Sequence, residues 1–193
     1  LAKDKDDFTY ESFNAAEVLE QMLYQKIATG AQFKICKREV WNHVRFPVGY
    51  YYEDVATTYR LFFYTKKAAV IDGKLYAYRK RMESIIRQPF STKKLVCLKI
   101  FDQLVNDPQI VKLGLLRAAK SRVFAMTYSV FLQVPLQEKQ TRKILWKKLQ
   151  TVQKEIMFDR SKIIRKKNVY AAWTMLLGMN ASYIIGRAFG QKE

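Results

Sequence analysis

Past Gln88-Pro89 the chain loses every sign of extended structure, and this constrains its fold more than any other feature. Apolar residues then recur at helical spacing almost to the end. Residues 91–106 place Leu95, Leu98, Phe101 and Val105 on one face. Asp107-Pro108 supplies a cap and a first-turn proline for a second helix, expected to run to about Val134. Pro135 ends it, because proline has no N–H for the helical ladder. Residues 137–160 carry Leu145, Leu149, Val152 and Ile156 as one stripe, with Lys and Arg elsewhere. A last helix is expected from about Val169 to Phe189. Residues 88–193 therefore read as an all-α, basic C-terminal extension.

The part before the boundary is mixed. From Ser12 to Thr29 the apolar positions Phe13, Ala16, Leu19, Leu23 and Ile27 fit a helix, with Ser12 able to cap it and Gly30 able to stop it. A short basic turn, CKREVWNHV, and the loop RFPVGYYY follow. Another helix is expected from Glu53 to about Lys67. AAVID and KLYAYRK then read as two short strands separated by Gly73. The expected fold class is α/β over residues 1–87 and all-α beyond, mostly α in total. The chain has 193 residues, enough to bury a substantial core.

Charge is unevenly shared. Residues 1–86 carry 14 basic and 11 acidic side chains, whereas residues 87–193 carry 21 and 6. That imbalance points to an anionic partner: nucleic acid, an anionic membrane surface or a phosphorylated substrate. A solvated helical surface that happens to use lysine is the plainer reading. Cys36 and Cys97 do not make a disulfide framework, so a reducing, cytoplasmic setting is expected. With one histidine, His43, no zinc site can be built from His and Cys. No secretory signal is visible. The first residue is Leu, so the chain is expected to be a piece of something longer. The charge-free run VYAAWTMLLGMNASYIIG is slightly short for a bilayer span of about 20 residues. It also contains Thr174, Asn180 and Ser182. A helix packed on its neighbours is the favoured reading, ahead of one lying in a membrane interface.

The run FPVGYYYEDVATTYRLF sets Glu53 and Asp54 directly after three tyrosines in this basic chain. Acids in a helical first turn meet unpaired N–H groups and the positive end of the dipole. A metal-ligand pair is disfavoured, because adjacent side chains on a helix diverge by about 100°. A salt bridge to one of the cations is a third reading. A general base, taking a proton from a hydroxyl, is the fourth. Tyr50, Tyr51 and Tyr52 could form platforms for sugar rings, or pack in a core.

Residues 37–85, KREVWNHVRFPVGYYYEDVATTYRLFFYTKKAAVIDGKLYAYRKRMESI, resemble the second half of a family 2 glycosyltransferase catalytic domain. The carrying residues are Lys37, Arg38, Glu39, Arg45, Phe46, Pro47, Gly49, Glu53, Asp54, Tyr76, Tyr78, Arg79, Ser84 and Ile85, in that order. The resemblance implies a GT-A fold and transfer from a nucleotide-sugar donor to a glycan or glycolipid hydroxyl, with inversion. It implies Asp54 as the base, Glu53 orienting the loop or the acceptor, and Arg79 and Arg81 near the donor diphosphate. A divalent metal, Mg or Mn, is implied for the parent enzyme. Many relatives have a metal-binding His near position 81, whereas here Arg stands there. Asp4-Lys5-Asp6-Asp7 has the spacing of the family's metal motif but lies too close to Asp54, and reads as a solvated loop.

The family's early strands and nucleotide-binding turn are missing. Residues 1–87 thus resemble the acceptor-side half of the domain, which alone should lack a complete donor site and be inactive. Half a sheet would also favour self-association. Lys139, Arg142, Lys143, Lys147, Lys148 and Lys154, then Arg160, Lys162, Arg165, Lys166 and Lys167, form an expected basic face. An anionic bilayer fits it, with the protein peripheral at the inner face of the cell membrane. A basic helical module binding an anionic partner without catalysis is the alternative. Nucleic acid is the less expected partner, because no nucleic-acid-binding motif accompanies the charge.

Overall fold

The computed structural model describes residues 9–73, 75–77, 79 and 88–190. It is mostly helical, with a single two-stranded sheet among the described residues, as the α/β-then-α pattern implies. Strand β1 (Thr9–Asn14) pairs antiparallel with β2 (Lys67–Asp72), in a register that sets Thr9 opposite Asp72 and Asn14 opposite Lys67. β2 matches the expected AAVID strand. The second expected strand falls partly outside the described residues, and residues 75–77 and 79 carry no regular structure.

The first helix starts later than Ser12. Thr9, Tyr10 and Phe13 suit a strand, and Ser12 lies within it. Helix α1 (Ala15–Leu23) is capped by Asn14, whose side chain accepts from Glu17 N at 2.9 Å while Glu17 returns a bond to Asn14 N at 3.1 Å. This reciprocal box satisfies two donors at the helix start. The helix also ends well before Gly30. Gln25 turns left-handed (φ 63°), its N–H bonding Met22 O and that of Lys26 bonding Gln21 O. Those two bonds define a Schellman stop.

Helix α2 (Glu53–Leu61) continues as a 3₁₀ turn over Phe62–Tyr64. Helix α3 (Val96–Val105) buries Cys97, Ile100, Phe101 and Leu104. This stripe is rotated from the expected one, because the helix is apolar over a wide arc. Asp107 caps helix α4 (Pro108–Lys112) as expected, accepting from Gln109 N at 2.9 Å. The helix expected to reach Val134 is nevertheless interrupted. Gly114 (φ 72°) closes α4, and α5 (Leu116–Gln133) starts afresh. Helix α6 (Lys139–Met157) buries the predicted Leu145, Leu149, Val152 and Ile156.

The last expected helix is also two. Helix α7 (Lys166–Thr174) ends in a 3₁₀ turn, Gly178 takes φ 90°, and α8 (Met179–Gly190) folds back on α7. Among the described residues no helix is long and apolar enough to cross a membrane.

Helix α5 is the centre of the molecule, packed against α1, α3, α4, α6, α7 and α8. Val123, Phe124, Val130 and Phe131 on it are completely buried. Gly186 lets α8 approach closely, since a Cβ there would stand 2.6 Å from the Tyr128 hydroxyl. Asn168 ties α7 to α5 through Ser121 Oγ at 3.1 Å. Leu19 of α1, and Val55, Ala56 and Tyr59 of α2, belong to the same core cluster as Phe101, Phe124 and Leu145.

Two cations expected at the surface are spent inside or against the protein. Arg142 is 3% exposed, sandwiched between Phe131 and Tyr183, and donates to Asn180 Oδ1. Lys148 pairs with Asp102 over the Phe101 ring. Both cysteines are free thiols, and burial pushes the Cys97 thiol up to about 12.

Candidate functional site

The loop before α2 ends in Tyr52, which takes φ 60° as the N-cap residue and makes no capping bond with its side chain. Bulky residues rarely adopt that conformation. Tyr52 and Gln25 are the non-glycine residues with positive φ among those described. Both line the same cleft, of about 960 Å³. Strained backbone concentrates where function holds it, so the coincidence marks this cleft as the candidate site.

The cleft is walled by the turn after α1, the segment that follows it, the start of α2, and helices α5, α7 and α8. Asp54 lies in its wall, partly buried. One carboxylate oxygen accepts from Thr29 Oγ1 at 2.7 Å and the other from Val55 N at 2.8 Å. Thr29 Oγ1 in turn accepts from Arg122 Nη2 at 3.4 Å. Asp54 is therefore oriented by a side-chain relay from α5, not merely set at a helix start. Each carboxylate oxygen has two acceptor sites, so capacity remains for a ligand hydroxyl. Glu53 is exposed and also lines the cleft.

Cations surround this carboxylate. Burial pulls the Arg122 guanidinium down from its ordinary value, the Asp54 charge opposes that, and Arg165 reinforces it. Burial likewise lowers Lys34, to about 8, against the pull of Asp54. The Lys34 ammonium donates to the carbonyls of Ala28 and Gly30, bracing the turn that carries Thr29. Burial pushes the Tyr52 phenol up to about 12.

Of the three tyrosines, Tyr51 and Tyr52 line the cleft. Tyr50 turns to α3, where its hydroxyl accepts from Lys99 at 2.5 Å and its ring lies under that ammonium. Arg79 is exposed and is not part of the cleft wall. Arg81 and the acids at positions 4, 6 and 7 lie outside the described residues. Among the described residues no three of His, Cys, Asp and Glu gather to hold a metal ion. The carboxylates of the cleft wall are the adjacent pair Glu53 and Asp54. The described residues therefore do not fit a divalent-metal site of their own.

Sequence reasoning missed Thr29, Arg122 and Gln25. Arg122 did leave a weak signal, as the cation directly before the charge-free run VFAMTYSVF. Thr29 and Gln25 left none.

A cleft with an oriented carboxylate beside tyrosines suits chemistry on hydroxyl-bearing ligands, and one comparison points the same way: part of this chain is similar to a glycosyltransferase. Over 76 residues it is 40% identical to glycosyltransferase GlyG of Streptococcus pneumoniae serotype 4 (strain ATCC BAA-334 / TIGR4). The match covers 39% of this chain and 25% of that protein. The chain thus spans about a quarter of the length of this relative. No family model matches the chain, and no solved structure matches it.

Proposed function

We propose that this chain is the acceptor-side portion of an inverting, family 2, GT-A-type glycosyltransferase, with Asp54 as its general base. The observation that carries the reading is the relay from Arg122 through Thr29 to Asp54 in a tyrosine-lined cleft. A base must be held in position before it can take a proton in the transition state, and the relay supplies that constraint. The partial likeness to a glycosyltransferase supports glycosyl transfer in general.

In this reading the acceptor hydroxyl gives its proton to Asp54. Its oxygen forms the new bond to the anomeric carbon. The bond from that carbon to the donor's diphosphate oxygen breaks, and the electron pair leaves with the diphosphate. Positive charge builds on the sugar ring, as in glycoside hydrolysis. Glu53 bonds a second acceptor hydroxyl, and Tyr51 and Tyr52 bear on the sugar faces. Tyr50 anchors the loop through Lys99. Arg79 and Arg81 meet the nucleotide-sugar diphosphate together with the upstream part of the parent enzyme.

The test needs that parent enzyme. Asp54→Asn should lower turnover by about 10²-fold or more with donor affinity intact. Full turnover in the Asn variant would return Asp54 to a role at the helix start.

An anionic membrane surface is the proposed docking partner. Lys139, Lys143, Lys147, Lys154, Arg160, Lys162 and Lys166 are all exposed, and clustered cations near such a surface contribute about 1 kcal/mol each. The chain should sediment with vesicles containing phosphatidylglycerol and be released by salt. Equal sedimentation with neutral vesicles would remove the electrostatic part of this reading.

A further inference from the structure

The cleft beside Asp54 is lined by two unlike sets of residues. In the polar set, Arg122 Nε is shut off from solvent and has no hydrogen-bond partner, and the same holds for Gln25 Nε2. Gln25 has its carbonyl oxygen engaged, accepting from Arg165 Nη1 at 2.6 Å, so its amide nitrogen is the group left over. A buried donor without an acceptor is costly to keep. Both of these residues line the cleft, as do Arg165 and Lys167. Arg165 is near enough to Arg122 to oppose its charge. Two unmet N–H donors beside clustered cations suit an oxyanion.

Backbone geometry gives independent support. Gln25 occupies the left-handed stop of α1, a position where glycine is the usual occupant and other residues carry a steric cost. A glutamine kept at that cost in the wall of a cleft points to a use for its side chain.

The second set is apolar and comprises Tyr170, Ala171, Ile185 and Phe189. Tyr170 and Phe189 are nevertheless 67% and 78% exposed, so this wall runs out to the surface. The same two helices and the turn between them also expose Trp173, Leu177 and Ile184. An inorganic anion would satisfy only the polar set. A nucleoside diphosphate would leave the apolar set uncovered.

We propose that the cleft binds a phosphate-bearing amphiphile. Its phosphate bonds Arg122 and Gln25 once these side chains turn their covered N–H groups into the cleft, and its hydrocarbon follows Tyr170, Ile185 and Phe189 toward the surface. Its role as the sugar acceptor rests on the transfer reading above, whereas its binding does not.

The first probe is dodecyl phosphate below its micellar concentration, titrated calorimetrically into the chain. It should bind at least about 10-fold more tightly than either inorganic phosphate or dodecyl maltoside, a difference of one decade. Gln25→Leu should lose several-fold of that affinity. Phe189→Ser should weaken dodecyl phosphate but leave inorganic phosphate unchanged. Arg122 also braces Thr29, so its variant could fail by unfolding. The ¹⁵N resonance of Arg122 Nε in the wild-type chain avoids that problem and should shift on titration. Equal affinity for dodecyl phosphate and dodecyl maltoside, or an unmoved Arg122 resonance, would overturn the proposal. Displacement of dodecyl phosphate by uridine diphosphate at lower concentration would also overturn it, by giving the polar set to the donor. Dodecyl phosphate binding is read without a sugar donor and without turnover, so a failure of the base assignment reads separately from a failure of this one.

Discussion

The chain makes the same turn twice and fills it differently. Helix α1 stops at Gln25 and helix α4 at Gly114, each left-handed and each closed by the same pair of bonds. At Gly114 a Cβ would meet nothing within 4 Å, so the glycine answers a backbone need alone. At Gln25 the backbone need is identical, yet a residue that fits it poorly stands there and reaches the cleft. The comparison separates a turn built for folding from one that accepts a conformational cost for a side chain. Substitutions at the first kind should move stability alone. Those at the second should move stability and binding in opposite directions.

The largest effect is expected at the folding turn. Gly114→Ala should destabilise the chain by about 1–2 kcal/mol, the cost of an L side chain in the left-handed region. Urea unfolding should show a lower midpoint at unchanged slope. A neutral outcome would break the comparison at its simpler end.

Lys34 comes next, because it braces the turn that follows Gln25. Its pKa is lowered from 10.5 to about 8, so the unfolded chain holds a proton there that the folded chain has lost. Stability therefore rises as pH goes from about 8 toward 10.5. The gain is about 1 kcal/mol once solvent screening of a partly exposed ammonium is allowed for. Unfolding of wild type and Lys34→Met across that window isolates the contribution, since ionising phenols act on both alike. Parallel curves would show that Lys34 keeps its ordinary value.

The smallest effect discriminates best. Gln25→Gly should raise stability by under about 1 kcal/mol, while weakening dodecyl phosphate binding. A loss of stability instead would show that the Arg165–Gln25 bond outweighs the strain, and the two turns would then differ in energetics, not purpose.

Legibility in the sequence followed the range of the deciding interactions. The α6 stripe, the β2 strand and the Asp107-Pro108 start were all readable, because each is settled within a few neighbouring residues. The start of α1 was misplaced because β1 wins residues 9–14 through pairing with a strand some 60 positions away. The last helix looked continuous because Gly178 sits inside an apolar run, and one glycine among good helix formers costs only about 1 kcal/mol. At the site, Glu53-Asp54 drew notice from composition, and the proposed role of Asp54 came from resemblance. The relay was invisible, since Thr29 lies 25 positions from Asp54 and Arg122 lies 93 from Thr29. Tyr50 shows the converse: adjacent in sequence to Tyr51 and Tyr52, it faces another helix.

Helix α5 serves at once as the spine of the core and as one wall of the cleft. That double duty limits how the protein can be retuned by mutation. Changes to the α5 wall near Val123, Phe124 or Phe131 disturb side chains with no exposure at all, where lost volume costs several kcal/mol. Ala31, Gln32 and the outer residues of α8 carry no such burden. A shift in ligand preference is therefore most accessible through those two segments, with α5 held constant as the inherited frame.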